Sequence, residues 1–185
     1  MPTTQDHVHG KGCGCLAALS RRGFLGMGAG MAGLAAMGGF APVLAQAKKY
    51  DFMLVSCIDP RLVSEVHEYM AGQGWRGKYS QFVIAGGPVA VIAPKFERWR
   101  NAVWDNIAAT IELHGIARVY GMTHRDCGAF KIAYGDAVLS TPDKEQRLHE
   151  EVLRAFRQRV LRRHPRLGVD TGIMALNGSV QIIPA

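Results

Sequence analysis

The stretch Phe52-Met53-Leu54-Val55-Ser56-Cys57-Ile58-Asp59-Pro60-Arg61 runs from four consecutive apolar residues into a thiol, a carboxylate and a guanidinium. Apolar residues without polar alternation mark a strand covered on both faces, the condition of a parallel sheet. Asp59 is a good helix N-cap and Pro60 suits the first helical position, where a missing N–H donor costs nothing. The stretch therefore predicts a buried strand over Phe52 to Val55, then a helix, with Cys57 at the strand's carboxyl end. The same design returns further on, where Val119-Tyr120-Gly121-Met122 empties into Thr123-His124-Arg125-Asp126-Cys127-Gly128. Two parallel strands ending side by side would bring Cys57, His124 and Cys127 to the carboxyl edge of the sheet, where open α/β folds place their sites.

The segments between and beyond them keep the strand and helix alternation. Leu62, Val63, Val66 and Met70 recur at helical spacing until Gly72-Gln73-Gly74 stops the run. A second strand is predicted at Gln81 to Ile84, turning at Ala85-Gly86-Gly87-Pro88. From Pro94 a long helix puts Phe96, Trp99, Val103, Ile107 and Ile111 on one face and ends at Gly115, with His114 placed to complement the helix dipole. A third strand covers Ile116 to Met122, and Asp136 to Ser140 is read as a loop. Ser140-Thr141-Pro142-Asp143 caps a helix whose Leu148, Val152, Phe156 and Val160 face the core. His149 and His164 are expected at the surface, Arg125 in solvent, and Asp126 in a supporting or capping role. Asp170 to Ile183 closes the sheet through a hairpin turn at Asn177-Gly178. The fold class is α/β: a three-layer domain with a mainly parallel central sheet.

Two thiolates and an imidazole are three of the four positions of a tetrahedral zinc shell, and a water in the fourth makes such a site catalytic. Cys-x-Asp-x-Arg followed some sixty residues later by His-x-x-Cys resembles the β-class carbonic anhydrases, over roughly Asp51 to the C-terminus. The resemblance implies that Cys57, His124 and Cys127 bind Zn2+. It implies that Asp59 and Arg61 form a catalytic dyad in which Arg61 holds the carboxylate ionised and Asp59 orients the attacking oxygen. The substrate would be CO2, hydrated reversibly to bicarbonate by zinc-bound hydroxide, and the assembly a homodimer; COS and CS2, open to the same hydroxide attack, stay as alternatives to CO2. The sequence departs from the family at the turn after the second strand, where Arg-Asn-Ala-Gly is usual and Ile84-Ala85-Gly86-Gly87 stands here. That departure keeps a second reading open, a non-catalytic carbonic-anhydrase-like domain that holds zinc or an anion.

The first fifty residues read differently. Ser20-Arg21-Arg22-Gly23-Phe24-Leu25 opens a Gly/Ala/Met-rich apolar stretch that leads to Ala45-Gln46-Ala47. This resembles a twin-arginine export signal with a small-x-small cleavage site. Glycines thin the segment too much for a membrane anchor, which needs about 20 strongly apolar residues. The expected division is residues 1–47 as signal and 48–185 as one zinc domain, located in the periplasm or otherwise outside the cytoplasm. Such a mature chain has no helical arm before its first strand, an arm that in the family helps build the dimer.

Charge and cysteine count narrow the classes further. The full chain of 185 residues carries a formal charge of +7, and 19 Lys+Arg against 14 Asp+Glu over residues 48–185 leave +5. Among the arginines from Arg154 to Arg166 the one aromatic is Phe156, so a solvated helix face is expected and no nucleic-acid partner. Beyond residue 47 only Cys57 and Cys127 remain. An oxidising compartment favours pairing them as a disulfide, the main rival to a metal site. The twin-arginine route carries folded proteins, so a metal loaded before export would protect both. No Cys-x-x-Cys is present to support a thiol-redox protein.

Overall fold

The computed structural model describes residues 50–184; the arginine pair, the cleavage site and Cys13-Gly14-Cys15 lie outside them. Strand β1 is Phe52–Ser56. Asp59 caps a 3-10 turn, Pro60–Leu62, by accepting the Arg61 amide, and α1 follows over Val63–Gly72. Strand β2 is Tyr79–Val83 and short helix α2 is Pro88–Ile92. The helix expected from Pro94 begins as a 3-10 segment, Pro94–Trp99, kinked at Phe96, and becomes α3 over Arg100–His114. Gly115 ends it in the left-handed conformation, φ 62°. Strand β3 is Arg118–His124, α4 is Gly128–Tyr134, and a 3-10 turn, Asp136–Leu139, occupies the expected loop. Helix α5, Pro142–Arg163, starts at Thr141, whose side chain accepts the Lys144 amide. Strands β4, Gly168–Met174, and β5, Val180–Ile182, form the closing hairpin.

The sheet order is β2-β1-β3-β4-β5, parallel except for the antiparallel β4–β5 pair. Alternate side chains of β1 explain the three layers. Met53 and Val55 join Val103, Ile107, Phe156 and Val160 on the face covered by α3 and α5. Phe52 and Leu54 join Leu62, Val66, Met70 and Tyr120 on the face covered by α1. Burial of each such side chain is worth about 1.5–3 kcal/mol, so a strand buried on both faces must be apolar throughout, as β1 is. Gly121 makes room for α5: a Cβ there would stand 2.6 Å from Cε1 of Phe156. Among the described residues no helix is long and apolar enough to cross a membrane.

Several polar residues depart from their expected places. His149 is fully buried rather than at the surface, because its Nδ1 meets the Thr123 hydroxyl at 2.8 Å and its ring packs on Phe130. His164 is half-buried, with Nε2 shut from solvent. The arginine face of α5 is only partly solvated. Arg157 donates to the carbonyls of Val169, Ile183 and Pro184, Arg159 donates to that of Val91, and Arg163 lies over the Trp104 ring. Guanidinium groups carry enough donors to satisfy the loose carbonyls at strand and helix ends. Val63, expected on the core face of α1, is exposed.

Candidate metal centre

The site lies where the strand order reverses. From β1 the chain crosses to β2 on one side, then returns past β1 to β3 on the other. The carboxyl ends of β1 and β3 are neighbours, with Val55 opposite Gly121, and a crevice at such a switch point belongs to ligands. Cys57 leaves β1 there. His124 is the last residue of β3 and Cys127 is the N-cap residue of α4.

The three donor atoms all lie within 4.8 Å of one another. The sulfurs of Cys57 and Cys127 are 3.9 Å apart. A disulfide needs about 2.0 Å, whereas two sulfurs on one tetrahedral zinc, each at about 2.3 Å, stand about 3.8 Å apart. Both cysteines are free, and the spacing suits a shared metal rather than a disulfide. The imidazole is oriented for the same task. His124 Nδ1 is 2.9 Å from the Arg125 carbonyl, which can only accept, so Nδ1 carries the proton and Nε2 presents its lone pair. That Nε2 is buried and has no hydrogen-bond partner among the described residues, an arrangement that a metal would satisfy.

The two thiols are unlike. Cys57 is pulled down to about 4, first by the hydrogen bond from the Cys127 thiol, against its burial, with His124 and the Gly86 amide assisting. Cys127 is pushed up, first by that same hydrogen bond to Cys57 and then by burial. The Gly86 amide donates to Cys57 Sγ at 3.1 Å, which explains the glycine turn. Gly86 and Gly87 have φ 78° and 53°, and a Cβ on Gly87 would press on Met122 O and Ser56 C at 3.0 Å.

Asp59 and Arg61 stand beside the donors in the expected pairing. Arg61 Nε donates to Asp59 Oδ1 at 3.0 Å and Nη2 to Oδ2 at 2.8 Å. This two-pronged bond holds the Asp59 carboxyl down at about 2, and Oδ2 lies 3.8 Å from His124 Nε2. The remaining guanidinium reach goes to Asp126: Nη1 donates to its Oδ2 at 2.9 Å and Nη2 to its carbonyl at 3.0 Å. Asp126 thus supports the site as expected, and Lys131 binds its Oδ1 at 2.7 Å. Arg125 is not simply solvated. Its guanidinium donates to Gln146 and, at 3.2 Å, to Gln181, because the turn packs under α5 and beside β5. Beside Cys57 a cleft of about 330 Å³ opens between α1 and β2, lined by Ile58, Val63, His67, Gln81 and Val83.

Known proteins similar to this chain fall into two groups. The uncharacterized protein RC0076 of Rickettsia conorii is 34% identical over 131 residues, covering 71% of this chain and 70% of its own. An uncharacterized protein of Rickettsia bellii is 31% identical over 131 residues, covering 71% of this chain and 80% of its own. The chain belongs to the family of these rickettsial proteins. No protein-family model matches it. The fold has a neighbour among tetrameric β-carbonic anhydrases from the filamentous ascomycete Sordaria macrospora. The TM-score is 0.51 at 13% identity, over 79% of this chain and 86% of that one. The α/β class with a mainly parallel sheet is therefore the β-carbonic anhydrase architecture, and within it Cys57, His124 and Cys127 form a group that can hold a metal ion.

Proposed function

We propose that this protein is a zinc-dependent carbonic anhydrase, hydrating CO2 to bicarbonate and a proton and running the reverse reaction. The observation that carries the reading is the Asp59 carboxylate, gripped at both oxygens by Arg61 and set 3.8 Å from the unpartnered Nε2 of His124. Zinc held by Cys57, His124 and Cys127 would supply an acidified water as nucleophile near neutral pH. Asp59, ionised down to about pH 2, can accept a hydrogen bond from that nucleophile and aim its lone pair at the carbon. Arg61 fixes which carboxylate oxygen does so, and keeps the carboxylate from turning away. Ile58, Val63 and Val83 give the adjoining cleft an apolar wall, suited to a small uncharged substrate.

A second reading, a zinc-holding domain without turnover, is favoured by one observation. Ile84 and Ala85 pack against core clusters, so the turn over the site offers backbone amides but no side-chain donor. Zinc content, a free-thiol count and stopped-flow CO2 hydration on the purified protein separate the two. One zinc per chain with hydration activity is expected, and Cys57→Ser should abolish both. A full complement of zinc with no hydration at mildly alkaline pH assigns the protein to the second reading.

The twin-arginine stretch extends the proposal to export. Folding and metal loading would precede translocation, and residues 48–185 would work outside the cytoplasm. A periplasmic product whose first residue is Lys48 is the expected result, and retention of Arg21-Arg22 in that product refutes cleavage.

A further inference from the structure

The turn from Thr123 to Cys127 carries two of the three metal donors, and α5 grips it on either side of His124. At Thr123, just before His124, the hydroxyl meets His149 Nδ1 at 2.8 Å. At Asp126, just before Cys127, the backbone N–H donates to Glu145 Oε1 at 2.7 Å. Glu145 and His149 are one helical turn apart, so a single face of α5 makes both contacts. Between them Gln146 accepts from the Arg125 guanidinium.

Asp126 is the residue that needs holding. It alone among the described non-glycine residues has positive φ, 52°, a conformation that an L side chain adopts against steric resistance. The β3–β4 ladder ends at the bond from Arg125 N to Met174 O. At Asp126 the chain reverses to bring Cys127 beside His124. Arg61 and Lys131 bind the Asp126 carboxylate and carbonyl, but its amide is bound by Glu145. Charge attraction does not explain that contact, since Glu145 and Asp126 are both acidic. The bond is to the N–H, and Arg125 Nη1 at 3.7 Å offsets the charge of Glu145.

We infer that Glu145 is a positioning residue of the metal centre: its carboxylate holds Asp126 in the left-handed conformation that sets the reach from His124 to Cys127. The inference rests on the zinc reading of Cys57, His124 and Cys127. It goes beyond that reading by placing a determinant of metal affinity on α5, about twenty residues along the chain from the turn.

The test is zinc affinity of the full-length chain, measured by competition with a chromophoric chelator. Removing a group that orients a metal ligand weakens binding by about 10–100-fold. Glu145→Ala should lose about tenfold, while Glu145→Gln, which keeps a carbonyl acceptor for the amide, should stay within about threefold. In an Asp126→Gly background φ 52° needs no enforcement, so Glu145→Ala should there cost less than about threefold. Glu145→Asp, one methylene short of the amide, gives the same measurement should the alanine variant not fold. Unchanged affinity in Glu145→Ala, or an equal loss in both backgrounds, overturns the inference and leaves the metal reading standing. Failure of the unaltered chain to bind zinc strikes the metal reading itself.

Discussion

Arg61 Nη1 and Asp126 Oδ2, 65 residues apart in the chain, meet at 2.9 Å. Their contact ties the loop after β1 to the loop after β3, while the rest of the guanidinium holds Asp59. Both side chains are nearly half exposed, 44% and 49%, and such solvent-screened ion pairs contribute little to stability. Arg61→Ala should therefore shift the urea midpoint little. Hydration activity should fall at least about tenfold, since one aligned charge-assisted pair lost at a reacting centre is worth that much. Arg61→Lys should not restore it, because an ammonium cannot make the planar two-pronged bond. Paired urea titration and stopped-flow assays on the two variants check this.

Asp59→Asn should keep zinc and lose most of its turnover, because the amide donates where the carboxylate accepts. The Asp59 carboxyl is depressed from 3.8 to about 2, so its contribution to stability is whole above about pH 3.8 and is lost as the pH falls through about 2. Its ionisation thus leaves no inflection in the activity profile near neutrality. Turnover of the asparagine variant equal to that of the parent would remove Asp59 from the role given to it.

His149 sets a second pH dependence, of stability rather than activity. Burial holds its folded pKa down at about 3 against an ordinary 6.5, with Arg125 and His124 adding repulsion. Between those values the unfolded chain binds the extra proton. Stability is therefore complete above about pH 6.5 and falls toward pH 3 at up to about 1.4 kcal/mol per pH unit. His149→Gln, which can still bond Thr123, should lose that slope. Urea unfolding of both proteins from pH 7 to pH 5 measures the difference.

Gly121→Ala should destabilise the domain by about 1–3 kcal/mol. The added Cβ falls 2.6 Å from Phe156 Cε1 and 2.8 Å from Cδ1, at a ring with no free space in the core. The backbone there has negative φ, so the effect is one of packing. Pairing with Phe156→Leu, which vacates the contact, should make the two losses less than additive.

Much of this architecture was legible from the residues. Phe52 to Val55 and Val119 to Met122 announce buried parallel strands because both faces of each are covered, and their polar ends announce where the donors go. The Asp59 cap was readable because Asp, Pro and Arg sit within three residues, while its pairing with Arg61 followed from the resemblance to the β-class carbonic anhydrases. The support from α5 was not. A histidine on a charged helix looks solvated until Thr123 and Phe130 are known to face it, and no local signal pairs Glu145 with the Asp126 amide. Helices α2 and α4 also escaped notice. They are short, and Gly86-Gly87 before α2 reads as a turn, since what stabilises both helices is burial of Val89 and Phe130 rather than helix propensity.

The order β2-β1-β3 has a consequence for how this protein is made. Cys57 and Cys127 are 70 positions apart, and their strands become neighbours only after the chain has travelled out to β2 and back. No shorter fragment carries all three donors, and no local hairpin can preassemble them. On the proposed zinc reading, the ion would therefore be captured only after β1 and β3 have paired, and would fasten the pairing that closes the longest loop in the sheet. A strong chelator present during synthesis should cut the yield of native protein far more than the same chelator added afterwards.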